Sequence, residues 1–262
     1  MYKRFGWVLI AVLLLGLGGC GPAPQLTREE PPESLLGPDS RIGLLTIQDP
    51  ALYDARILRY PLPANPGVTL PGRIVGAGVS QSVRQADRAS RNYELTQTIE
   101  QWNFSVAEDL TENIARHLQA VGYNVLDVPV DEQRHAGSIR GFRFLGDYPA
   151  QPSQSFDAYL HVYVEFAGYT ALSPNEPYVP TLEVFVDLVS ADSKERLYAT
   201  SMVYGGPIPV EGATDMPADP QYSVRDFAWL CADEEQCDES PAVRGLRAAS
   251  DGIAQLIARN LK

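Results

Sequence analysis

From residue 157 to residue 166 two kinds of side chain alternate without a break, and nothing else in the chain constrains the fold as strongly. Ala158, Leu160, Val162, Val164 and Phe166 fall on one side, and Asp157, Tyr159, His161, Tyr163 and Glu165 on the other. Successive side chains of an extended strand point to opposite faces, so the stretch reads as a strand with one buried face. Such a strand needs neighbours. The proline-rich loop SPNEPYVP leads to a second alternating run with Leu182, Val184, Val186 and Leu188 aligned. The turn SADSKE leads to a third, with Leu197, Ala199, Ser201 and Val203 aligned. Three strands with short connections predict an antiparallel meander with an apolar core face.

Two segments carry the other periodicity. Val106, Leu110, Ile114, Leu118 and Val121 recur every three or four residues, the stripe of an amphipathic helix. Ser105 and Glu108 stand in the relation of a capping box, and Gly122 sits where a helix end favours a residue tolerant of positive φ. The strand candidate NVLDVPV follows. The last helix is expected after Ser240, with Pro241 in its first turn and Val243, Leu246, Ile253, Leu256, Ile257 and Leu261 as its stripe. A further strand, RIGLLTI, is expected at 41–47. Two helices and a sheet with one apolar face imply an α/β fold: a two-layer sandwich of a mostly antiparallel sheet with both helices on one face. Residues 48–102 are poorly patterned and polar from 80 to 100, and the chain has no internal repeat.

If the helices cover only the aliphatic face, the other face collects Tyr159, Tyr163, Phe185, Tyr198 and Tyr204 beside His161, Glu165 and Arg196. Aromatic side chains mixed with a few charges are the composition of interface cores and their rims, which makes this face a candidate partner surface. Segment 48–100 is long and must pack somewhere, which favours its folding over this same face.

The N-terminus supplies an address. Lys3 and Arg4 precede an apolar run from Phe5 to Leu17, too short and too rich in glycine to read first as a membrane-spanning helix. The run ends in Leu17-Gly18-Gly19-Cys20, which resembles the lipobox of bacterial lipoproteins. The resemblance implies cleavage before Cys20 and acylation of that cysteine, with Gly21 in place of aspartate implying the outer membrane. Several acyl chains make attachment effectively permanent, each buried methylene contributing about 0.8 kcal/mol. The expected organisation is a signal peptide at 1–19, a lipidated cysteine with a proline-rich linker at 20–40, and one α/β domain at 41–262. Without residues 1–19 the chain carries 19 basic and 33 acidic residues, a balance of −14, which argues against nucleic acid and against anionic lipid headgroups as partners.

The remaining motifs are weak. Cys231 and Cys237 lie in a polar loop and suit a disulfide in an oxidising compartment; a zinc site is the alternative, but no histidine lies near them in sequence. His117, His135 and His161 share no metal-ligand spacing. Gly76-x-Gly78 lacks the third glycine of a dinucleotide loop and reads as a turn or strand edge. The acidic run ADEEQCDES lacks the calcium-loop pattern. No catalytic motif, cofactor site or metal site is found. The helix VAEDLTENIARHLQAVGYNV, followed by a strand, hairpins and a terminal helix, resembles the arrangement in envelope lipoproteins such as the N-terminal domain of the Tol-system propeller protein and the curli secretion-channel lipoprotein. That resemblance implies a non-catalytic accessory or assembly role with an envelope protein as partner. The alternatives are a lipid-tethered periplasmic hydrolase and a carrier of a small hydrophobic ligand.

Overall fold

The computed structural model describes residues 35–59, 70–129, 155–206, 208, 210, 212–231 and 239–262, with the backbone alone for 70–83. The signal segment, Cys20, most of the linker, His135, Cys237 and the acidic run up to residue 238 lie outside the described residues. The strands are β1 (Arg41–Leu45), β2 (Asp54–Ile57), β3 (Asn124–Val128), β4 (Ala158–Ala171), β5 (Val179–Ser190), β6 (Arg196–Tyr204) and β7 (Thr214–Met216). The helices are α1 (Leu70–Gln101), α2 (Val106–Ala120), the single turn α3 (Phe227–Leu230) and α4 (Pro241–Leu261).

The strands form one seven-stranded sheet in the order β3-β1-β4-β5-β6-β7, with β2 also on β4. The meander β4-β5-β6 is antiparallel, as its alternation predicts. The flanking strands are parallel, so the sheet is mixed. β4 is 14 residues long, enough for two short strands along one edge. β1 pairs with Ala158–Leu160 and β2 with Gly168–Ala171.

The main core lies between the sheet and the helices. Ile42, Leu44, Leu160, Val162, Leu182, Val184, Val186 and Leu188 from the sheet meet Leu110, Ile114 and Leu118 of α2 and the whole predicted stripe of α4. Each such side chain taken fully from water contributes roughly 1.5–3 kcal/mol. α2 begins as its sequence requires: Ser105 Oγ accepts the Glu108 amide at 3.0 Å. The two preceding amides are served from outside the helix. Tyr53 Oη accepts from Val106 at 3.2 Å, and Asp49 Oδ1 from Ala107 at 2.9 Å. Gly122 takes φ +103°, closing the helix as expected.

A third long helix joins this layer. Residues 70–101, expected to hold a glycine turn and then unpatterned polar chain, form α1, so Gly76 and Gly78 are helical. Its last turns present Asn92, Leu95, Thr96 and Ile99 at helical spacing. Leu95 and Ile99 enter the main core. Asn92 Oδ1 accepts the Ala55 amide at 2.9 Å and Thr96 Oγ1 the Tyr53 amide at 3.1 Å, so the polar members of the stripe hold the edge of the sheet. The expectation that segment 48–100 covers the opposite sheet face is not met by its described part, apart from Arg56, which reaches that face over Phe166. Its described part supplies a strand and a helix on the core side, because polar side chains that serve backbone amides pack there as well as aliphatic ones.

Two strand phases are also corrected. The register between β4 and β5 slips after Val164, and beyond that bulge Phe166 pairs with Glu183 while Ala167 pairs with Leu182. Phe166 therefore leaves the core face. In β6, Tyr198 stands opposite Leu188 and Tyr204 opposite Leu182, so both tyrosines lie on the helix side, 3% and 4% exposed. Ala199, Ser201 and Val203 take the other face, while Leu197, skipped by the register shift between Leu188 and Val189, packs against the main core. In LYATSMVY both phases are nearly equally apolar, so alternation does not choose between them.

Candidate functional site

The sheet face away from the helices divides into two parts. At the start of β4, Tyr159 belongs to a small second core with Leu45, Val128 and Phe156. The Phe156 and Tyr159 rings are 5.4 Å apart, and the Lys194 ammonium stands 5.2 Å from the Tyr159 ring. Further along, cross-strand pairing sets out three rows: His161–Asp187–Ala199, Tyr163–Phe185–Ser201 and Phe166–Glu183–Val203. His161, Tyr163 and Phe185 are half-buried. Of the six aromatic and histidine positions expected to form a partner surface, these three stay together there. Tyr159 is enclosed by the second core. Tyr198 and Tyr204 are removed to the main core by the β6 register, where Tyr204 Oη accepts the Asp219 amide at 3.1 Å.

Charge on this face is paired across strands. Arg56, reaching over from β2, places its guanidinium 3.6 Å from the centre of the Phe166 ring and 3.1 Å from Glu183 Oε1. Arg196 Nε donates to Asp187 Oδ1 at 3.0 Å. Burial pushes the Asp187 carboxyl up, and the charge and hydrogen bond of Arg196 offset part of that. Burial and the nearby Glu183 both raise Glu165. The residues the sequence did not single out here, Arg56 and Phe166, depend on a strand insertion and a bulge that leave no local signal.

The remaining histidine of the described region lies in a polar seam between α2 and α4. His117 Nε2 is 2.8 Å and Arg116 2.6 Å from Asp251 Oδ1. Asn113 Nδ2 donates to both Asp109 and Ser250, and Arg247 bridges Asp109 and Glu239. Among the described residues no serine or cysteine hydrogen-bonds His117, and no three His, Cys, Asp or Glu side chains gather as a metal site. Cys231 is half-buried with its thiol against Thr98 of α1, and burial raises it. Its expected partner, Cys237, is outside the described residues.

The seam yields a pH-dependent expectation. Burial works against the charge of Asp251. Hydrogen bonds from His117 and Gln255, with the charges of His117 and Arg116, outweigh it and hold the carboxyl below its ordinary range. A lowered folded-state pKa stabilises above the unfolded value of about 3.9 and loses that contribution as pH falls through the folded value. Asp251→Asn should therefore lower the free energy of urea unfolding near neutrality, by at most about 1 kcal/mol for a partly exposed group, and the gap should close below about pH 3. A gap that persists at acid pH would show that the charge of Asp251 is not its source.

No protein family matches the sequence, and no curated protein matches it. Among solved structures, a Xanthomonas campestris protein of the family described as DUF330 is similar at 10% identity and TM-score 0.37, over 92% of this chain and 89% of that one. The hypothetical protein CT253 of Chlamydia trachomatis is similar at 9% identity and TM-score 0.39, over 85% and 98%. The lipoprotein GNA1162 of Neisseria meningitidis gives 13% identity and TM-score 0.19, over 66% and 88%. TM-scores below 0.5 do not establish a shared fold.

Proposed function

We propose that this chain is a lipoprotein of the bacterial outer membrane, facing the periplasm, with a non-catalytic accessory or assembly role in the cell envelope. One observation carries the reading: the order of a basic pair, a short apolar run and Leu17-Gly18-Gly19-Cys20 followed by Gly21. Among the described residues no helix is long and apolar enough to cross a membrane, and Cys20 is the attachment point in this reading. The half-buried patch of His161, Tyr163 and Phe185, from two adjacent cross-strand rows, is the surface assigned to the envelope partner. Tyrosine and phenylalanine held on a rigid sheet lose little conformational freedom on contact.

Intact-mass analysis of the mature protein tests the anchor. The expected species begins at Cys20 and carries acyl mass, and Cys20→Ser should leave an uncleaved precursor. A mature form that begins elsewhere and carries no acyl mass would remove the reading. In the same cells, a photo-crosslinking amino acid in place of Tyr163 should capture an envelope protein, and the same group in place of the exposed Tyr93 should not.

A further inference from the structure

One concavity of this acidic chain is lined by cations. The segment Gln221–Arg225, the turn α3 and the first turn of α4 border a concavity of about 610 Å³ that is open to solvent on one side, a volume within the range of small-molecule sites. Arg225, Arg244, Trp229 and Tyr222 line it. Elsewhere among the described residues the side chains of Arg56, Arg88, Arg91, Arg116, Arg196 and Arg247 are each bonded to a carboxylate, while those of Arg41, Arg59 and Arg259 are not, and none of these three lines the concavity. Among the described residues Arg225 and Arg244 have no such partner. The carboxylates nearest to Arg225 in sequence are committed to capping. Asp219 accepts from the amide and side chain of Gln221, and Asp226 accepts from the Ala228 amide.

The walls are held before any ligand arrives. Val224 and Tyr178 exchange both backbone hydrogen bonds, at 2.7 and 2.8 Å. Phe227 meets the Tyr178 ring edge-on, with centroids 5.9 Å apart. Ser240 caps α4 at the Val243 amide. Leu230, fully buried, anchors α3, whereas its neighbour Trp229 is 60% exposed and contributes little to the core. An exposed indole that lines the same concavity as two arginines offers a flat apolar surface in a site that also holds planar, bidentate donors for carboxylate or phosphate oxygens.

We propose that this concavity binds an oxyanion carried on a planar or apolar body, with Arg225 and Arg244 holding the carboxylate or phosphate and Trp229 packing the body. The site does not depend on the envelope reading, and the same chemistry could come from a soluble metabolite or a lipid headgroup. Calorimetric titration of the full chain in detergent micelles separates the two sources. One probe is 1-naphthyl phosphate and the other is monomeric dihexanoyl phosphatidylglycerol, with protein-free micelles as the blank. Saturable binding of naphthyl phosphate assigns a soluble ligand, and binding of the phosphatidylglycerol alone assigns a lipid headgroup. In either case Arg225→Gln with Arg244→Gln should weaken binding at least about tenfold while the far-ultraviolet circular dichroism stays unchanged. Arg259→Gln, at the far end of α4, should leave binding as it was. Trp229→Ala should weaken it and Trp229→Phe restore most of it. Failure of both probes to bind, or equal binding by the double variant, overturns the proposal.

Discussion

Gly245→Ala should destabilise the fold by about 3 kcal/mol, because α4 is seated directly on a buried tyrosine hydroxyl. A methyl group at this position would overlap Tyr169 Oη and come within 3.0 Å of Cζ and 3.1 Å of Pro180 Cβ. Tyr169 cannot turn aside. It is fully buried, and its hydroxyl donates between the Pro241 and Ala242 carbonyls at 3.0 Å each. The obstacle can be removed independently. Tyr169→Phe alone should cost about 1–2 kcal/mol for the lost hydrogen bonding. The two substitutions together should cost clearly less than their sum, with a coupling of about 1 kcal/mol or more in urea unfolding. Strict additivity would show that the hydroxyl is not what limits the approach of α4.

Gly168→Ala should be as damaging, at roughly 3–5 kcal/mol, for a different reason. Gly168 has φ +155° and pairs with Asp54 at the start of the β2–β4 ladder. A Cβ there would run into the Asp54 carbonyl oxygen and lie 2.8 Å from the carbonyl carbon and amide nitrogen. The neighbour is backbone, so no rotamer change makes room. Relief requires β2 to leave β4, and with it go the Arg56 contacts to Phe166 and Glu183, the Asp54–Arg88 ion pair and the hydrogen bonds from residues 53 and 55 to α1. Hydrogen exchange should locate the damage. Amides of β2 should lose protection while the β4–β5–β6 meander keeps most of its own. A loss below about 1 kcal/mol with β2 protection intact would mean that the strand does not sit against Gly168 as described.

Where a segment's partners lie nearby in the chain, sequence and structure agree. The cap and stripe of α2 and the proline start and stripe of α4 follow from spacings of three and four residues, and the hairpins of the meander from alternation and turn residues. The candidate face was legible only at Tyr163, His161 and Phe185, which lie on the stretches of β4 and β5 before the bulge reverses the phase. Phe166 was misplaced because a bulge inserts one residue without any change in composition. Tyr198 and Tyr204 were misplaced because both phases of β6 can face a core.

Local chemistry thus settles α2, α4 and the β4–β5–β6 meander, and at the N-terminus it supplies the stretch Leu17-Gly18-Gly19-Cys20 that resembles a lipobox. It does not settle α1, whose stripe is half polar. Asn92 and Thr96 are good core-side residues only because the amides of residues 55 and 53 are brought to them by the β2–β4 pairing. Nor does it settle that Arg225 and Arg244 share a concavity with Trp229, since α3 and α4 meet there through contacts that no local spacing encodes. Periodicity reports what a residue needs from one face of its own element. Register, strand insertion and the meeting of loops are decided by which distant backbone groups and side chains are left to be satisfied, and that is known only once the chain has closed on itself.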